Sequence, residues 1–460
     1  MSGAELRVGI DVGATNAHAV FMDGGGRLLA RAKVPVGRDL RASLDAVLAE
    51  LLGAAPDAIS PGGPVRVTLG TRRVTDALAQ RRGLTRVAVL RLGSPLTGGV
   101  PPLWTWPAEL RAAVSAGEQI VGGGAEYDGR TPTPLDVDAV RRFLHRVAGT
   151  AEAVAVSGVF SPISPEQELA VADLVRRELG SGLPVSASHE IGSFGLLTRE
   201  NATVLNATLI APVQAVATAL TGALRARDIA AETYFAQNDG SVMALEHALR
   251  FPVLMIGSGA ALSIRGAAQL SGVADGVVVD VGGTRTEVSV LVHGFPREAA
   301  PPTEVAGVHT DFPLPEVWTL PVGAATADGG GDALAWELED VDVLGGDAGA
   351  PVVAVGGGAA LVEEALPGDH EVVLPAHGDV AGAIGAAIAP VSGRADVVCD
   401  RDSDHLDAAL LRAHRTAVER AIHAGADPAR VEIVEVEQMP LSYLVEPAFR
   451  VRVRATGPCV

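Results

Sequence analysis

Two short phrases of the sequence place an aspartate at the end of an apolar run, directly before a glycine-containing turn and a threonine. They begin at Asp11 and Asp280, a domain's length apart. In such a turn the carboxylate can hold a metal ion through water, glycine N–H groups can approach phosphate oxygens, and the threonine hydroxyl supplies another donor. One such phrase is also typical of an ordinary hairpin turn. Two copies favour a phosphate-binding site.

A third glycine phrase follows the apolar run 352–355 and precedes a helical pattern. A turn of this kind brings backbone close to a nucleoside or phosphate beside a helix N-terminus. Two turns facing each other across a cleft would clamp a triphosphate, and phosphoryl transfer depends mainly on positioning and charge neutralisation. Asp11 and Asp280 are the predicted catalytic and metal-binding residues. The predicted nucleotide contacts are Gly13, Ala14, Thr15, Asn16, Gly282, Gly283, Thr284, Thr286, Gly356, Gly357 and Gly358.

Three arginines lie near these turns. Arg72 and Arg73 follow a Gly-Thr pair, and Arg285 lies inside the second turn. A guanidinium there is either a phosphate contact or a surface residue at a turn, and the sequence leaves both interpretations open. Ser258 is a further candidate contact near the cleft.

Histidines offer an alternative chemistry. His405, His414 and His423 recur at a nearly helical spacing. Without a carboxylate pattern to orient them, this spacing favours a solvated or half-buried helix face over a metal site.

Parallel strands with crossover helices are the elements expected to position the turns. Apolar runs bounded by glycine and alternating with helical patterns are typical of an α/β protein. In the first part of the chain, strands are predicted at 6–10, 17–22, 65–69, 87–90, 153–159 and 185–187, and helices at 40–52, 140–147 and 165–179. In the second part, a helical region is predicted at 201–226, and strands at 253–256, 276–280, 287–292 and 351–355.

The two parts repeat one order of elements, which indicates an internal duplication. The predicted domains are 1–195, 196–390 and a small α+β appendage at 391–460. In the appendage, a helix is predicted at 404–424, followed by two alternating segments that carry Glu435 and Glu437 on one and Arg450, Arg452 and Arg454 on the other. Antiparallel pairing would match acid to base across the ladder.

Composition excludes several classes of protein. The net charge is −19, from 36 Lys and Arg against 55 Asp and Glu, which disfavours nucleic-acid binding. The chain contains 2 cysteines, too few for a disulfide framework. No signal peptide or membrane span is expected, because the longest apolar runs are short and interrupted by glycine. A cytoplasmic protein is expected.

The two aspartate phrases and the glycine turn resemble the ATPase superfamily of actin, sugar kinases and the seventy-kilodalton heat-shock proteins. The similarity narrows to the short, A-type branch of the hydantoinase/oxoprolinase family. It extends over most of the chain, in the same order. The motifs that carry it lie at 69–78, 188–190, 199–207, 279–288, 310–317 and 439–444.

This resemblance implies an α/β fold with two ribonuclease-H-like lobes of the actin-like ATPase type around a nucleotide cleft. It implies ATP and Mg²⁺ as ligands, and phosphorylation of the carbonyl of a cyclic amide such as a hydantoin or 5-oxoproline, followed by ring-opening hydrolysis. The second half-reaction is expected on a separate B-type subunit, in a homo-oligomer or hetero-oligomer. The alternatives are an ATP-dependent ketone carboxylase subunit, or a regulatory or assembly protein that binds nucleotide through degraded motifs.

The sequence departs from the family pattern in three places. In the second phrase the closing aspartate is replaced by Glu287, which keeps the charge on a longer side chain. The first phrase has Ala14, Ala17 and His18 where the family generally has glycine, threonine and aspartate. The later glycine-rich turn carries Ala324 and Ala325. Weaker metal or phosphate contacts, a changed substrate or lost catalysis would each be compatible with these departures.

Overall fold

The computed structural model describes residues 6–55, 65–126, 133–192, 194–320, 349–366, 371–400, 403–441 and 448–460. The segment around Ala324 and Ala325, and residues 442–444 of the last family motif, lie outside these ranges.

The strands form sheets of nine, six, four and two strands. In chain order they are Leu6–Val12 (β1), Asn16–Met22 (β2), Leu28–Pro35 (β3), Val65–Thr71 (β4), Val87–Ser94 (β5), Ser115–Gly122 (β6), Ala153–Gly158 (β7), Val185–Ala187 (β8), Glu232–Ala236 (β9), Val242–Ala244 (β10), Gly276–Val281 (β11), Thr286–Val292 (β12), Phe295–Pro296 (β13), Thr303–Val305 (β14), Val308–Thr310 (β15), Val317–Leu320 (β16), Val352–Val355 (β17), Val372–Val373 (β18), Val391–Asp400 (β19), Glu432–Leu441 (β20) and Ala448–Gly457 (β21).

Helices cover the sheets and connect the strands. They are Leu40–Ala54, Arg73–Gln80, Ala108–Val114, Val137–Val147, Glu166–Leu179, Leu196–Thr208, Ile210–Arg225, Leu245–Arg250, Ser258–Ser271, Ala360–Ala365, Ala381–Ile388 and Ser403–His423. Short 3₁₀ helices lie at Ser188–Glu190, Pro252–Met255 and Gly378–Val380.

The nine-stranded sheet, hereafter the first sheet, has the order β20-β21-β19-β10-β9-β4-β1-β2-β3. Within it β1 pairs antiparallel with β2 and parallel with β4. The six-stranded sheet, hereafter the second sheet, has the order β13-β12-β11-β17-β18, with β16 also on β12. There β11 pairs antiparallel with β12 and parallel with β17. Both sheets therefore contain the same hairpin with a parallel neighbour, as an internal duplication predicts.

The C-terminal strands continue the first sheet. β19 pairs in parallel with β10 at Val391 and Val242, and β21 lies between β19 and β20. β20 and β21 pair antiparallel with Glu435 opposite Arg454 and Glu437 opposite Arg452. The charged atoms of these pairs lie 2.9 Å and 3.9 Å apart. The predicted acid-to-base ladder is confirmed.

The domain boundaries at residues 195 and 390 stay a prediction. The first sheet takes strands from all three predicted segments, because β9 and β10 follow residue 195 and β19 to β21 follow residue 390. Dividing the molecule by its sheets therefore gives a different result from dividing it at the predicted boundaries along the chain.

One predicted strand, 253–256, is wrong: Pro252–Met255 forms a 3₁₀ helix. Its apolar residues are mostly buried, and a short apolar run has no periodicity that distinguishes a strand from a buried helical turn. The predicted helical region 201–226 forms two helices, Leu196–Thr208 and Ile210–Arg225, with a bend of 41° between them. The other predicted strands and helices are present, with ends that differ by a few residues.

Within the described ranges, no single helix is long and apolar enough to span a membrane. The bent pair Leu196–Thr208 and Ile210–Arg225 meets the length and composition criteria only when its two helices are taken together. Most residues of both helices are buried in the protein.

Candidate functional site

A cavity of about 410 Å³ lies where the β1–β2 hairpin of the first sheet faces the β11–β12 hairpin of the second. We call it the central cavity, and the two elements the first and second hairpins. Its walls come from both hairpin turns, from the turn after β17 and from the start of helix Ala381–Ile388. The cavity is therefore built by both halves of the duplicated arrangement.

The two hairpin turns close in the same way. The Gly13 N–H donates to the Asn16 carbonyl at 3.0 Å, and the Gly282 N–H donates to the Arg285 carbonyl at 3.0 Å. The turns also approach each other closely, because a Cβ added at Gly283 would lie 2.8 Å from Thr15 Oγ1. A phosphate chain bound here would contact backbone from both sheets.

The pKa values of Asp11 and Asp280 in the central cavity are both strongly raised. Burial raises the pKa of Asp11 to about 7, and the charges of Asp280 and Glu287 add to this effect. Burial likewise raises the pKa of Asp280 to about 6, with a further contribution from Glu287. Asp11 Oδ1 is buried and has no hydrogen-bond partner in the described structure. Each carboxylate is held where its negative charge is costly.

These properties fit a divalent cation. A cation between the two aspartates would offset the repulsion that raises both pKa values, and it would give Asp11 Oδ1 a partner. No cluster of three or more His, Cys, Asp and Glu side chains suited to a metal is found among the described residues. Mg²⁺ is commonly bound by one or two carboxylates together with phosphates and water, so two aspartates suffice for this cation.

Glycines give the carboxylates room. Gly356 has φ +88°, and a Cβ there would overlap Asp280 Oδ1 and lie 2.5 Å from the Val281 carbonyl oxygen. A Cβ at Gly382 would lie 2.6 Å from Asp11 Oδ2. Side chains at these positions would displace the carboxylates, which explains glycine in the predicted turn after β17 and on helix Ala381–Ile388.

Of the three arginine candidates, two line the cavity. Arg72 Nη1 donates to Glu287 Oε1 at 2.6 Å and so connects the end of β4 with the second hairpin. Arg285 also lines the cavity. Arg73 instead donates from Nη2 to the Gly37 carbonyl at 2.6 Å, outside it.

Most predicted site residues line the central cavity. They are Asp11, Gly13, Ala14, Thr15, Asn16, Asp280, Gly282, Gly283, Thr284, Gly356 and Gly357. Gly358 and Thr286 are not among the lining residues, and Thr286 is fully buried. Ser258 is also buried away from the cavity, where its Oγ donates to the Met255 carbonyl at 2.8 Å. The roles assigned to the lining residues remain predictions.

The structure shows where the residues of the first hairpin that depart from the family pattern lie. Ala17 is fully buried in the core, so a hydroxyl there would not reach the cavity. His18 lies in the cavity wall and is the register partner of Asp11. Burial lowers the pKa of His18 to about 4, with a further contribution from the Lys33 charge, so His18 is neutral at pH 7.

Sequence reasoning missed several lining residues. They are Lys33, Gly259, Ser263, Gly378, Asp379, Ala381 and Gly382. They come from a neighbouring strand, a packed helix and a distant turn, and none belongs to a recognisable phrase. The composition could have indicated Lys33, because it is the only lysine in the chain.

A larger cavity of about 910 Å³ lies beside the C-terminal strands and contains none of the predicted site residues. Its charged side chains largely neutralise one another. Arg394 lies 3.1 Å from Asp239, and Arg454 lies 2.9 Å from Glu435. The Arg394–Asp239 pair indicates a structural contact between the C-terminal strands and the rest of the protein.

We expect the Asp11→Asn variant without nucleotide to be more stable than the wild type at pH 8. The folded-state pKa of Asp11 is raised, so its ionisation destabilises the folded protein progressively from about pH 4 to about pH 7. Removing the ionisable group should add on the order of 3 kcal/mol at pH 8 and nearly nothing at pH 4. Urea unfolding at both pH values measures the difference.

The exposed Asp407→Asn is the matched control, since Asp407 lies on the surface of helix Ser403–His423. It should change the stability by the same small amount at both pH values. An Asp11→Asn variant that is no more stable than the wild type at pH 8 would contradict the raised pKa.

Comparisons with known proteins agree with this geometry. The family model described as the hydantoinase/oxoprolinase N-terminal region matches residues 7–179, and the hydantoinase/oxoprolinase model matches residues 199–362. The fold is similar to the ATP-dependent caprolactamase from Pseudomonas jessenii, with 16% identity, a TM-score of 0.75, and coverage of 98% of this chain and 87% of that one. It is also similar to nucleotide-free acetone carboxylase, with 15% identity, a TM-score of 0.73, and coverage of 99% and 88%. No curated protein matches the sequence significantly.

The fold and the central cavity define a two-lobed α/β protein of the class to which these structures belong, and the predicted fold class is confirmed. Within that class, the chain belongs to the hydantoinase/oxoprolinase family. The family predicted from the sequence phrases is thereby confirmed.

Proposed function

We propose that the protein is an ATP-dependent enzyme that activates the carbonyl of a cyclic amide for ring-opening hydrolysis. The observation that carries the proposal is the single cavity in which two matching hairpins bring Asp11 and Asp280 together. Membership of the hydantoinase/oxoprolinase family and the likeness to an ATP-dependent caprolactamase support a lactam or hydantoin as the substrate class.

The chemistry has two steps. The terminal phosphoryl group of ATP is transferred to the carbonyl oxygen of the amide, and ADP leaves. Water then adds to the activated carbon and the ring C–N bond breaks, with a proton going to the nitrogen. A second water hydrolyses the resulting acyl phosphate to the carboxylate and free phosphate. Asp11 and Asp280 hold Mg²⁺, which supplies charge neutralisation for the phosphates when bound. Gly13 and Gly282 close the two turns through their own N–H groups. The next residues of the turns, Ala14, Thr15 and Gly283, position the phosphates through backbone N–H groups.

The second step is assigned to a separate B-type subunit, because none of the described cavity residues forms a recognisable hydrolytic triad. Such a partner would make the active enzyme a hetero-oligomer. Cytoplasmic residence accords with the absence of a long apolar helix in the described chain.

A ketone carboxylase is the second candidate, and the likeness to acetone carboxylase favours it. Both activities begin with phosphorylation of a carbonyl oxygen, so the same cavity serves either. The two activities differ in the compound that accepts the phosphoryl group, and the carboxylase also requires bicarbonate.

We expect ATP hydrolysis by the full-length protein to rise at least about tenfold when a cyclic amide that fits the site is added. ADP formation is measured with Mg²⁺ and ATP against a panel of 5-oxoproline, hydantoin, caprolactam and acetone with bicarbonate, because ADP leaves in the first step, which this chain performs. The open-chain amino acids corresponding to the lactams are the matched controls, because they lack the cyclic amide carbonyl. Stimulation by acetone alone would favour the carboxylase, and slow hydrolysis insensitive to every compound would favour a regulatory role.

A further inference from the structure

Lys33 is unique in this protein. The chain has 36 basic residues, of which Lys33 is the only lysine and all others are arginines. Arginine therefore serves every other cationic position, on the surface, in ion pairs and in buried networks. The single exception lines the central cavity.

The sheet register places Lys33 in a row with two cavity residues. Asp11 on β1 is opposite His18 on β2, and His18 is opposite Lys33 on β3. Arg72 follows β4, on the other side of β1. The cavity therefore has one cation on each flank of Asp11. In the second hairpin, the position opposite Glu287 on the next strand is Thr319, so the duplication does not repeat this lysine.

The Lys33 ammonium lies near the turn that follows β17. Its Nζ is 3.9 Å from the point where a Cβ on Gly357 would lie. It therefore reaches from the first sheet towards backbone of the second. Because Gly357 has no side chain, the space between them is open to a ligand.

The charges around Lys33 leave its ammonium available. In the described structure, the side chain of Lys33 makes neither a hydrogen bond nor an ion pair. The nearby Asp379 is paired with Arg31 at 2.7 Å. Arg72, in contrast, is already bound to Glu287 at 2.6 Å. An anion entering between the hairpins would meet an uncommitted ammonium group on this flank.

We propose that Lys33 binds the terminal phosphate of the nucleotide from the β3 side of the central cavity, and that arginine cannot replace it there. An ammonium is a compact point charge with rotatable donors, whereas a guanidinium is a larger planar fork. Lys33 Nζ already lies 3.9 Å from a Cβ position on Gly357, so the longer guanidinium would extend into the space between them. This inference rests on the proposed function, because it requires a nucleoside triphosphate in the cavity.

The single lysine permits a direct spectroscopic test. Reductive methylation with ¹³C-formaldehyde gives the protein one lysine resonance, beside that of the terminal amine, and dimethylation keeps the positive charge. Saturating AMPPNP with Mg²⁺ should shift the Lys33 resonance, and ADP with Mg²⁺ should shift it less, because ADP lacks the terminal phosphate. The Arg27→Lys variant adds a second lysine on the exposed β2–β3 turn, and its resonance should not move.

Thermal unfolding separates the failure of this inference from that of the proposed function. If AMPPNP with Mg²⁺ leaves the unfolding temperature unchanged, both the nucleotide site and the inference are overturned. If AMPPNP stabilises the protein but the Lys33 resonance stays in place, the inference alone is overturned.

Substitutions supply the functional readout. Lys33→Met should lower substrate-stimulated ATP hydrolysis about 100-fold and leave ADP affinity within about twofold, because the lost contact is to the terminal phosphate. Lys33→Arg should lose at least about tenfold. Arg27→Met is the surface control and should match the wild type. Full turnover by Lys33→Arg would contradict the requirement for an ammonium.

Discussion

The Asp280→Ala variant is expected to lose substrate-stimulated ATP hydrolysis by about 1000-fold or more. Asp280 and Asp11 both line the central cavity, and their charges interact. Under the proposed function both carboxylates hold the cation that neutralises the phosphates. The stabilisation by ATP with Mg²⁺ should disappear as well, which amounts to about 2.7 kcal/mol for the wild type at 100 times the dissociation constant. ADP formation and thermal unfolding with and without nucleotide measure the two effects.

Loss of folding would not explain such a result. The pKa of Asp280 is raised by burial and by Glu287, so removing this carboxylate should stabilise the empty protein above about pH 6. Asp275→Ala is the matched control, since Asp275 lies exposed just before the same strand and should leave turnover unchanged. Wild-type nucleotide stabilisation in Asp280→Ala would place the cation elsewhere.

A second large effect is expected at the buried pair of Arg91 and Glu200. Two hydrogen bonds of 2.7 Å and 2.6 Å join the guanidinium to the carboxylate, and both side chains are at most 2% exposed. Glu200→Gln keeps the shape but leaves a buried cation without its counter-charge. Such a loss costs about 3 to 5 kcal/mol. Urea unfolding should show a correspondingly lower free energy.

The Arg91–Glu200 pair joins β5 of the four-stranded sheet to helix Leu196–Thr208, so its loss should loosen that sheet first. Asp173→Asn is the surface comparison, because its pair with Arg176 is about 60% exposed on both sides. That change should cost less than about 0.5 kcal/mol. Equal effects of the two substitutions would contradict the importance of burial.

The hairpins around Asp11 and Asp280 were predictable because each lies within a few consecutive residues. A strand, a glycine turn and a threonine form a local pattern, and the pattern occurs twice. The acid-to-base ladder of β20 and β21 was predictable for a similar reason, since alternation in each strand determines its faces. Local sequence thus predicted the turns on both sides of the cavity.

The remaining wall of the cavity depends on tertiary pairing. Lys33 and His18 become neighbours only through the register of β2 and β3, and Gly382 reaches Asp11 only because helix Ala381–Ile388 packs on β1. No short-range pattern encodes these contacts. The 3₁₀ helix Pro252–Met255 was missed because its apolar residues have no period that marks a helix.

The connections between the two large sheets have a mechanical consequence. The chain enters the second sheet through helix Ser258–Ser271 and returns to the first through helix Ala381–Ile388. These helices touch backbone to backbone, since a Cβ at Gly266 would overlap the Ala381 carbonyl and one at Gly385 would overlap that of Leu262. Two adjacent helices packed in this way act as a hinge between the two sheets. They resist sliding of one sheet past the other, so rotation about the line between the helices is the easiest movement. Rotation about that line would separate the first hairpin from the second and so open the central cavity between them.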